Sequence, residues 1–321
     1  MMRSIWKARK RLREHLDKTP LIPSPILSEK SGVPVYLKLE TMQPSRSFKL
    51  RGAFNFLSAL KEEEKRRGVS AFSTGNHGLA VAHAANQMNM SARIFVSESV
   101  TEAKKEALRD SGAELVVTGK SQDEAGEACQ KQSREEGLTI VPPFDHPEII
   151  AGQGTIALEL LEDLPEVGTV VAGLSGGGLL AGIGEAIKHT DPAINVTGIS
   201  VEKGAAMDES IAAGKPIEIP EHPTYADSLL GGIGLDNQYT YPAIQKYVDT
   251  RKRLAEPDIA KGMAFLFEHH HLVAEGAAAV GVGALLNGTI QPKGPAVVVV
   301  TGAGIDVKSH QEIVGHYLGS T

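Results

Sequence analysis

The chain has one cysteine, one tryptophan and only 5% aromatic residues in 321. A lone thiol, Cys129, closes no disulfide within the chain, so the fold must rest on packing, and a reducing compartment, the cytoplasm, is expected. Excess basic charge is also missing: 33 lysines and arginines face 39 acidic residues, for a net charge of −6. Nucleic-acid binding depends on neutralising phosphates, so no nucleic-acid partner is expected. No stretch approaches the roughly 18 consecutive apolar residues of a membrane span. The basic start of the chain, residues 1–15, lacks an apolar core of signal-peptide length, so no membrane partner is expected. Ile5, Leu12 and Leu16 recur there at helical spacing, which predicts a first helix packed on the protein body. Repeats, low-complexity tracts and long flexible linkers are absent as well.

What remains is an ordinary globular composition, 41% hydrophobic and 22% charged, at a length that suits about two domains. Short β-branched runs alternate with amphipathic segments at 34–39, 69–73, 92–96, 114–118, 139–141, 169–174, 195–201 and 296–301. Each is followed by a glycine-bearing turn and a helical pattern. That βαβ rhythm, with apolar strands, predicts sheets covered on both faces. The run Lys61–Arg67 sets opposite charges three and four residues apart and reads as the solvated end of a helix.

Four segments carry chemistry. Ser47-Phe48-Lys49-Leu50-Arg51-Gly52-Ala53 sets a lysine between an aromatic ring and a helix start, where an amine can take up a carbonyl as a Schiff base. Most lysines are merely solvated, so its company matters. Ser73-Thr74-Gly75-Asn76-His77-Gly78 gathers hydroxyl, amide and glycine groups at a strand end; helix capping is the plainer account of Ser73 or Thr74. Ser175-Gly176-Gly177-Gly178-Leu179 follows an apolar strand and opens a helix, so its backbone N–H groups can cradle a phosphate with help from the helix dipole. The same turn satisfies the permissive dinucleotide fingerprint, with Glu202 ending the next strand as a ribose ligand. A nicotinamide-dependent oxidoreductase is therefore the rival reading, although it gives Lys49 and residues 73–77 no role. Thr301-Gly302-Ala303-Gly304 closes the series.

In order and spacing, these segments resemble the serine/threonine dehydratase branch of fold-type-II pyridoxal-phosphate (PLP) enzymes, from about Thr19 to Asp306. Leu37-Lys38-Leu39-Glu40, Ala151-Gly152-Gln153-Gly154-Thr155 and residues 226–237 are similar to the hydroxyectoine-utilization dehydratases. The resemblance implies a tryptophan synthase β-like α/β fold with two open, twisted, mostly parallel sheets flanked by helices. A small domain, 53–146, is inserted in a large PLP-binding domain, 1–52 and 147–321, with the cofactor in the cleft between them.

By the same resemblance Lys49 holds the cofactor aldehyde and moves the α-proton. Phe48 packs near the ring, Asn76 bonds its hydroxyl, and Thr301 meets its nitrogen. Ser175, Gly176, Gly177, Gly178 and Leu179 hold the phosphate. Ser73, Thr74, Gly75, Asn76, His77 and Gln153 surround the substrate, with Glu275 near the ring edge. His77 is implied to be structural, although its ordinary pKa also suits a general base. The segment at Thr301 departs from the commoner serine-glycine-glycine-asparagine.

The implied reaction is β-elimination of water from a hydroxy amino acid, of L-threonine or L-serine type or derived from hydroxyectoine, giving a 2-oxo acid and ammonia. Threonine at 74, where racemases of the branch have serine, favours elimination. A racemase and a non-catalytic amino-acid sensor on the same scaffold are the alternatives. Glu202, Ala206 and Asp208 match positions where relatives hold a divalent cation through oxygen, as suits Mg2+ or Ca2+. His269, His270 and His271 are adjacent and cannot share one helix face, so no zinc site is read there. A homodimer is implied. The chain stops soon after Thr301, so no regulatory domain and no feedback by a distant amino acid is expected.

Overall fold

The computed structural model describes residues 2–73 and 75–318. Ten strands occur among them: β1 (Leu21–Pro23), β2 (Val35–Leu39), β3 (Val69–Phe72), β4 (Ala92–Val96), β5 (Glu114–Val117), β6 (Thr139–Ile140), β7 (Thr169–Gly173), β8 (Asn195–Val201), β9 (Thr250–Leu254) and β10 (Ala296–Val300). They form a six-stranded sheet, β1-β2-β10-β7-β8-β9, and a four-stranded sheet, β5-β4-β3-β6. Every pairing is parallel except β1 with β2.

The valine-rich strands show why the larger sheet is covered on both faces. Successive strand side chains point to opposite sides. Val170, Ala172, Val297 and Val299 accordingly join one core cluster, while Val171, Val298, Val300 and Ile199 join another. Helices Pro147–Asp163 and Gly178–Thr190 belong to the first face, and helices Glu256–His270 and Gly276–Leu286 to the second. Helix Gly276–Leu286 is apolar all round because it is sandwiched. A third cluster joins the smaller sheet to helices Lys49–Ala59 and Asn76–Gln87. Helix Lys49–Ala59 also packs on helix Pro147–Asp163, so it bridges the two sheets' surroundings.

The eight expected strands are all present, the first helix is Met2–Leu12, and Ile5 and Leu12 are buried in it. Two strands escaped the sequence reading. β1 ends in a proline and β9 reads Thr-Arg-Lys-Arg-Leu, so neither has an apolar run; both lie at sheet edges, where such residues are tolerated and discourage further pairing. Residues Glu62–Arg67 form a separate short helix rather than the end of the preceding one. The chain breaks to extended geometry at Leu60 and Lys61, and the Lys61 N–H donates to Glu64.

Beneath helix Lys49–Ala59 lies a buried ionic hub. Arg51 donates from Nε and Nη2 to the two oxygens of Glu40, at 2.8 Å each, and from Nη1 and Nη2 to those of Glu159, at 2.7 and 2.8 Å. Lys38 reaches Glu159 at 2.6 Å and Arg9 reaches it at 2.9 Å. Burial opposes the Arg51 charge, but the two carboxylates overcome it and raise its pKa.

Candidate active site

The carboxyl ends of β3, β7 and β10 open on one cavity of about 650 Å3, where open parallel sheets place their ligands. Phe48, Lys49, Ser73, Gly75, Asn76, His77, Gln153, Ser175, Gly176, Gly177, Gly178, Leu179 and Thr301 all line it. Thr74 lies outside the described residues. Segments remote in sequence meet because the Ser47–Phe48 backbone pairs with the end of β10: Phe48 N–H donates to the Thr301 carbonyl at 3.0 Å, and Ser47 bridges Gly302.

Lys49 begins its helix with Nζ donating to the Pro143 carbonyl at 2.8 Å, 5.4 Å from the Phe48 ring centre. Burial pushes its pKa down to about 8, against the pull of the Glu275 carboxylate. A lysine so placed spends a usable fraction of time as the free amine near neutral pH, which a Schiff-base nucleophile requires.

Asn76 starts the next helix, and its Nδ2 donates to both oxygens of Glu275 at 2.9 Å. The Gly304 N–H donates to the same carboxylate at 2.9 Å. Glu275 is 2% exposed, and burial raises its pKa, with Asp227 adding to the rise. His77 sits within 2.9 Å of the Val141 carbonyl through Nε2, and burial with the Lys49 charge lowers its pKa to about 3. It is a neutral donor to the backbone, which fits the structural role and leaves it no general-base role.

Around the glycine turn, no backbone N–H from Ser175 to Leu179 donates to another described residue. Gly177 has φ 87°, a left-handed conformation that glycine adopts freely. A Cβ on Gly176 would lie 2.4 to 2.6 Å from ring carbons of Phe144, so the turn is sealed from behind. Asn76 Oδ1 and Gln153 Oε1 are buried without a partner among the described residues. Free N–H donors at a helix start, a depressed lysine and unpartnered amide oxygens in one cavity fit a phosphate-bearing aldehyde cofactor.

The expected cation site does not fit. Asp208 accepts from Arg251 at 3.1 Å and from Arg253 at 2.8 Å, so its charge is already offset, while Glu202 is exposed. No group of three histidine, cysteine, aspartate or glutamate side chains suited to a metal occurs among the described residues. In the histidine run, His270 bonds Ser24 at 2.8 Å.

Sequence reasoning missed Pro143 and Phe144, which close the cavity behind Lys49 and the glycine turn. It also missed Ser97, Thr101, Lys104, Gln122 and Glu221 at the mouth. The paired prolines at 142–143 signalled an extended segment. Ser97, Thr101, Lys104 and Gln122 had one signal, their position just after β4 and β5 at strand carboxyl ends, whereas Glu221, between β8 and β9, had none. Asp145 fixes another wall by accepting from the N–H groups of Gln238, Tyr239 and Thr240 at 2.7 to 2.9 Å.

Comparison with known proteins agrees with this chemistry. Residues 12–302 match the family model described as "Pyridoxal-phosphate dependent enzyme". A Sinorhizobium fredii protein provisionally described as a threonine dehydratase is 43% identical over 100% of this chain and 97% of its own. An L-threonine ammonia-lyase of Thermotoga maritima is 39% identical over 98% of this chain and 78% of its own. The solved structure of maize serine racemase superposes with a TM-score of 0.92 at 28% identity, over 98% of this chain and 97% of that one. The nicotinamide reading of the glycine turn is therefore set aside. The chain belongs to the pyridoxal-phosphate-dependent enzyme family as a fold-type-II lyase of the serine/threonine dehydratase branch.

Proposed function

We propose that the substrate is an L-threonine- or L-serine-type amino acid, or a hydroxyectoine-derived intermediate with the same β-hydroxyl, and that the products are a 2-oxo acid and ammonia. The observation that carries this reading is the meeting of a depressed Lys49 and the free N–H groups of residues 175–179 in one cavity. When bound, pyridoxal phosphate supplies the conjugated ring that accepts the charge left at Cα as its proton departs. Lys49 holds the cofactor and then carries the α-proton, a task suited to an amine with a pKa near 8. The glycine turn holds the phosphate, Asn76 and Thr301 orient the ring beside Phe48, and Ser73 to His77 with Gln153 grip the substrate.

Borohydride reduction of the PLP-loaded protein, followed by peptide mapping, tests this assignment. A pyridoxyl group on Lys49 is expected, and Lys49→Ala is expected to lose about a thousandfold or more of ammonia release from the best hydroxy amino acid. Reduction that marks another lysine, or ammonia release that survives Lys49→Ala, defeats it. The likeness to a serine racemase keeps a second reading in view; chiral analysis of recovered serine decides it, with ammonia expected to outrun the D-enantiomer.

The reading extends to a small domain at 53–146 built round the four-stranded sheet, and to a cytoplasmic homodimer. A lone buried cysteine supports the compartment, and exposed Phe267 and Val307, on helices joined through the His310 ring, support an apolar contact surface. Sedimentation of the holoenzyme tests the dimer.

A further inference from the structure

The glycine turn lies in a slot whose two walls come from separate parts of the chain. On one side, a Cβ added to Gly176 would lie 2.4 Å from the Phe144 ring, and one added to Gly178 would lie 3.0 Å from Phe144 Cβ. On the other, a Cβ added to Gly177 would lie 3.2 Å from Thr240 Cβ and 3.0 Å from Ile244 Cγ1, both on helix Thr240–Tyr247. The turn thus touches both walls, and in close-packed matter a shift of either wall moves what lies between them. The width of the slot sets where the N–H groups of residues 175–179 stand.

Asp145 ties the walls together. It follows Phe144 directly, and its carboxylate crosses to the other wall: Oδ2 accepts from the Gln238 N–H at 2.8 Å, and Oδ1 from those of Tyr239 and Thr240 at 2.9 and 2.7 Å. Helix Thr240–Tyr247 receives no cap from the side chain of its own N-cap residue, Tyr239, so the acceptor comes from 95 positions earlier in the chain. An ionised acceptor at the positive end of a helix makes the stronger kind of hydrogen bond. The same segment reaches the lysine: the Pro143 carbonyl accepts from Lys49 Nζ at 2.8 Å, and the Val141 carbonyl meets His77 Nε2 at 2.9 Å. Pro142 and Pro143 have fixed φ angles, so a displacement at Asp145 passes to Phe144 and to the Pro143 carbonyl.

We propose that Asp145 is a positioning residue for the cofactor phosphate, acting through Phe144 to hold the glycine turn in place beside Lys49. This rests on the assignment of Lys49 and the glycine turn to pyridoxal phosphate. Asp145 does not itself line the cavity.

Spectrophotometric titration of the cofactor-free protein with PLP tests this through a double-mutant cycle. Asp145→Asn keeps the side chain's shape but sets an amide donor against the Gln238 N–H, and is expected to weaken PLP about tenfold. In a Phe144→Leu background, where that wall is already altered, the same change is expected to cost less than about threefold. Asp145→Glu, which keeps the charge, is the milder variant and is expected to cost about threefold. Asp249 is the control: its carboxylate accepts from the Val196 N–H at 2.7 Å, at the amino end of β8 and so opposite the cavity. Asp249→Asn is expected to lower the urea midpoint yet leave PLP affinity within about twofold. Wild-type affinity in Asp145→Asn, equal losses in both backgrounds, or an equal loss in Asp249→Asn overturns the inference. Borohydride labelling of Lys49 in the wild type then leaves the cofactor assignment standing. Labelling of another lysine instead defeats that assignment and the inference with it.

Discussion

Lys49 and Arg51 stand two residues apart on one helix and serve opposite purposes. Arg51 points into a hub where its nitrogens meet Glu40 and Glu159, with Thr155 and Thr19 completing the shell. Lys49 points into a cavity where amide oxygens and a run of backbone N–H groups have no partner among the described residues. Polar groups that satisfy one another hold a fold in one arrangement. Those left unsatisfied are held ready for a ligand that supplies the missing partners. The hub thus fixes the helix from which the Lys49 amine projects.

The largest expected effect breaks the hub. Arg51→Met leaves the buried Glu40 carboxylate without its cation and Glu159 with Lys38 and Arg9 alone, and is expected to cost about 3–5 kcal/mol in urea denaturation of the holoenzyme. The same variant alters the acid limb. Despite burial, Arg51 and Lys38 hold the Glu159 carboxyl down to about 2 from 4.5. Its contribution is present above pH 4.5 and is lost as pH falls toward 2. The wild-type stability slope across that window is expected to shrink in Arg51→Met. A loss under about 1 kcal/mol would place the hub among surface ion pairs and end the contrast.

A smaller effect of opposite sign belongs to the cavity. Lys49 has its pKa lowered from 10.5 to about 8, so burying its charge weakens the cofactor-free protein below pH 8. Between pH 8 and 10.5 the unfolded chain binds the extra proton, and stability therefore rises with pH. Lys49→Met is expected to stabilise the cofactor-free protein by about 2 kcal/mol at pH 7, a gain that fades as pH approaches 10.5. Matching denaturation curves at pH 7 and pH 10 measure it. No gain at pH 7 would mean that cavity water solvates the amine fully.

Smallest is the effect of closing the phosphate turn. Gly176→Ala drives a Cβ against the Phe144 ring and is expected to destabilise by about 1 kcal/mol while weakening PLP about tenfold. Spectrophotometric titration with the cofactor reads the second quantity. A variant that lost stability without losing affinity would assign the turn to packing alone.

The strand rhythm was legible in the chain because apolar β-branched runs need a covered sheet wherever they fold. Lys49 and the glycine turn, which the fold brings to one cavity, could be picked out as candidates because amine chemistry and unobstructed backbone are local properties of residues 47–53 and 175–179. β1 and β9 were not, since edge strands are stabilised by the neighbour they join and need no apolar run of their own. Lys38 and Glu40 were read only as part of a family likeness. Glu40 meets Arg51 across eleven residues, but the meeting of Lys38 and Arg51 at Glu159 depends on bringing residues more than a hundred positions apart into one buried volume. The metal expectation shows the same limit: a carboxylate at 208 suits a cation until the strand at 250–254 sets two guanidinium groups against it. The sequence by itself determined the fold class and the cofactor, and it singled out Lys49 as the candidate amine. Only the tertiary structure decided the ionisation of that residue, the neutrality of His77 and the grip of Asp145 on residues 238–240, because burial and electrostatic pairing depend on distances between segments that the order of residues does not contain.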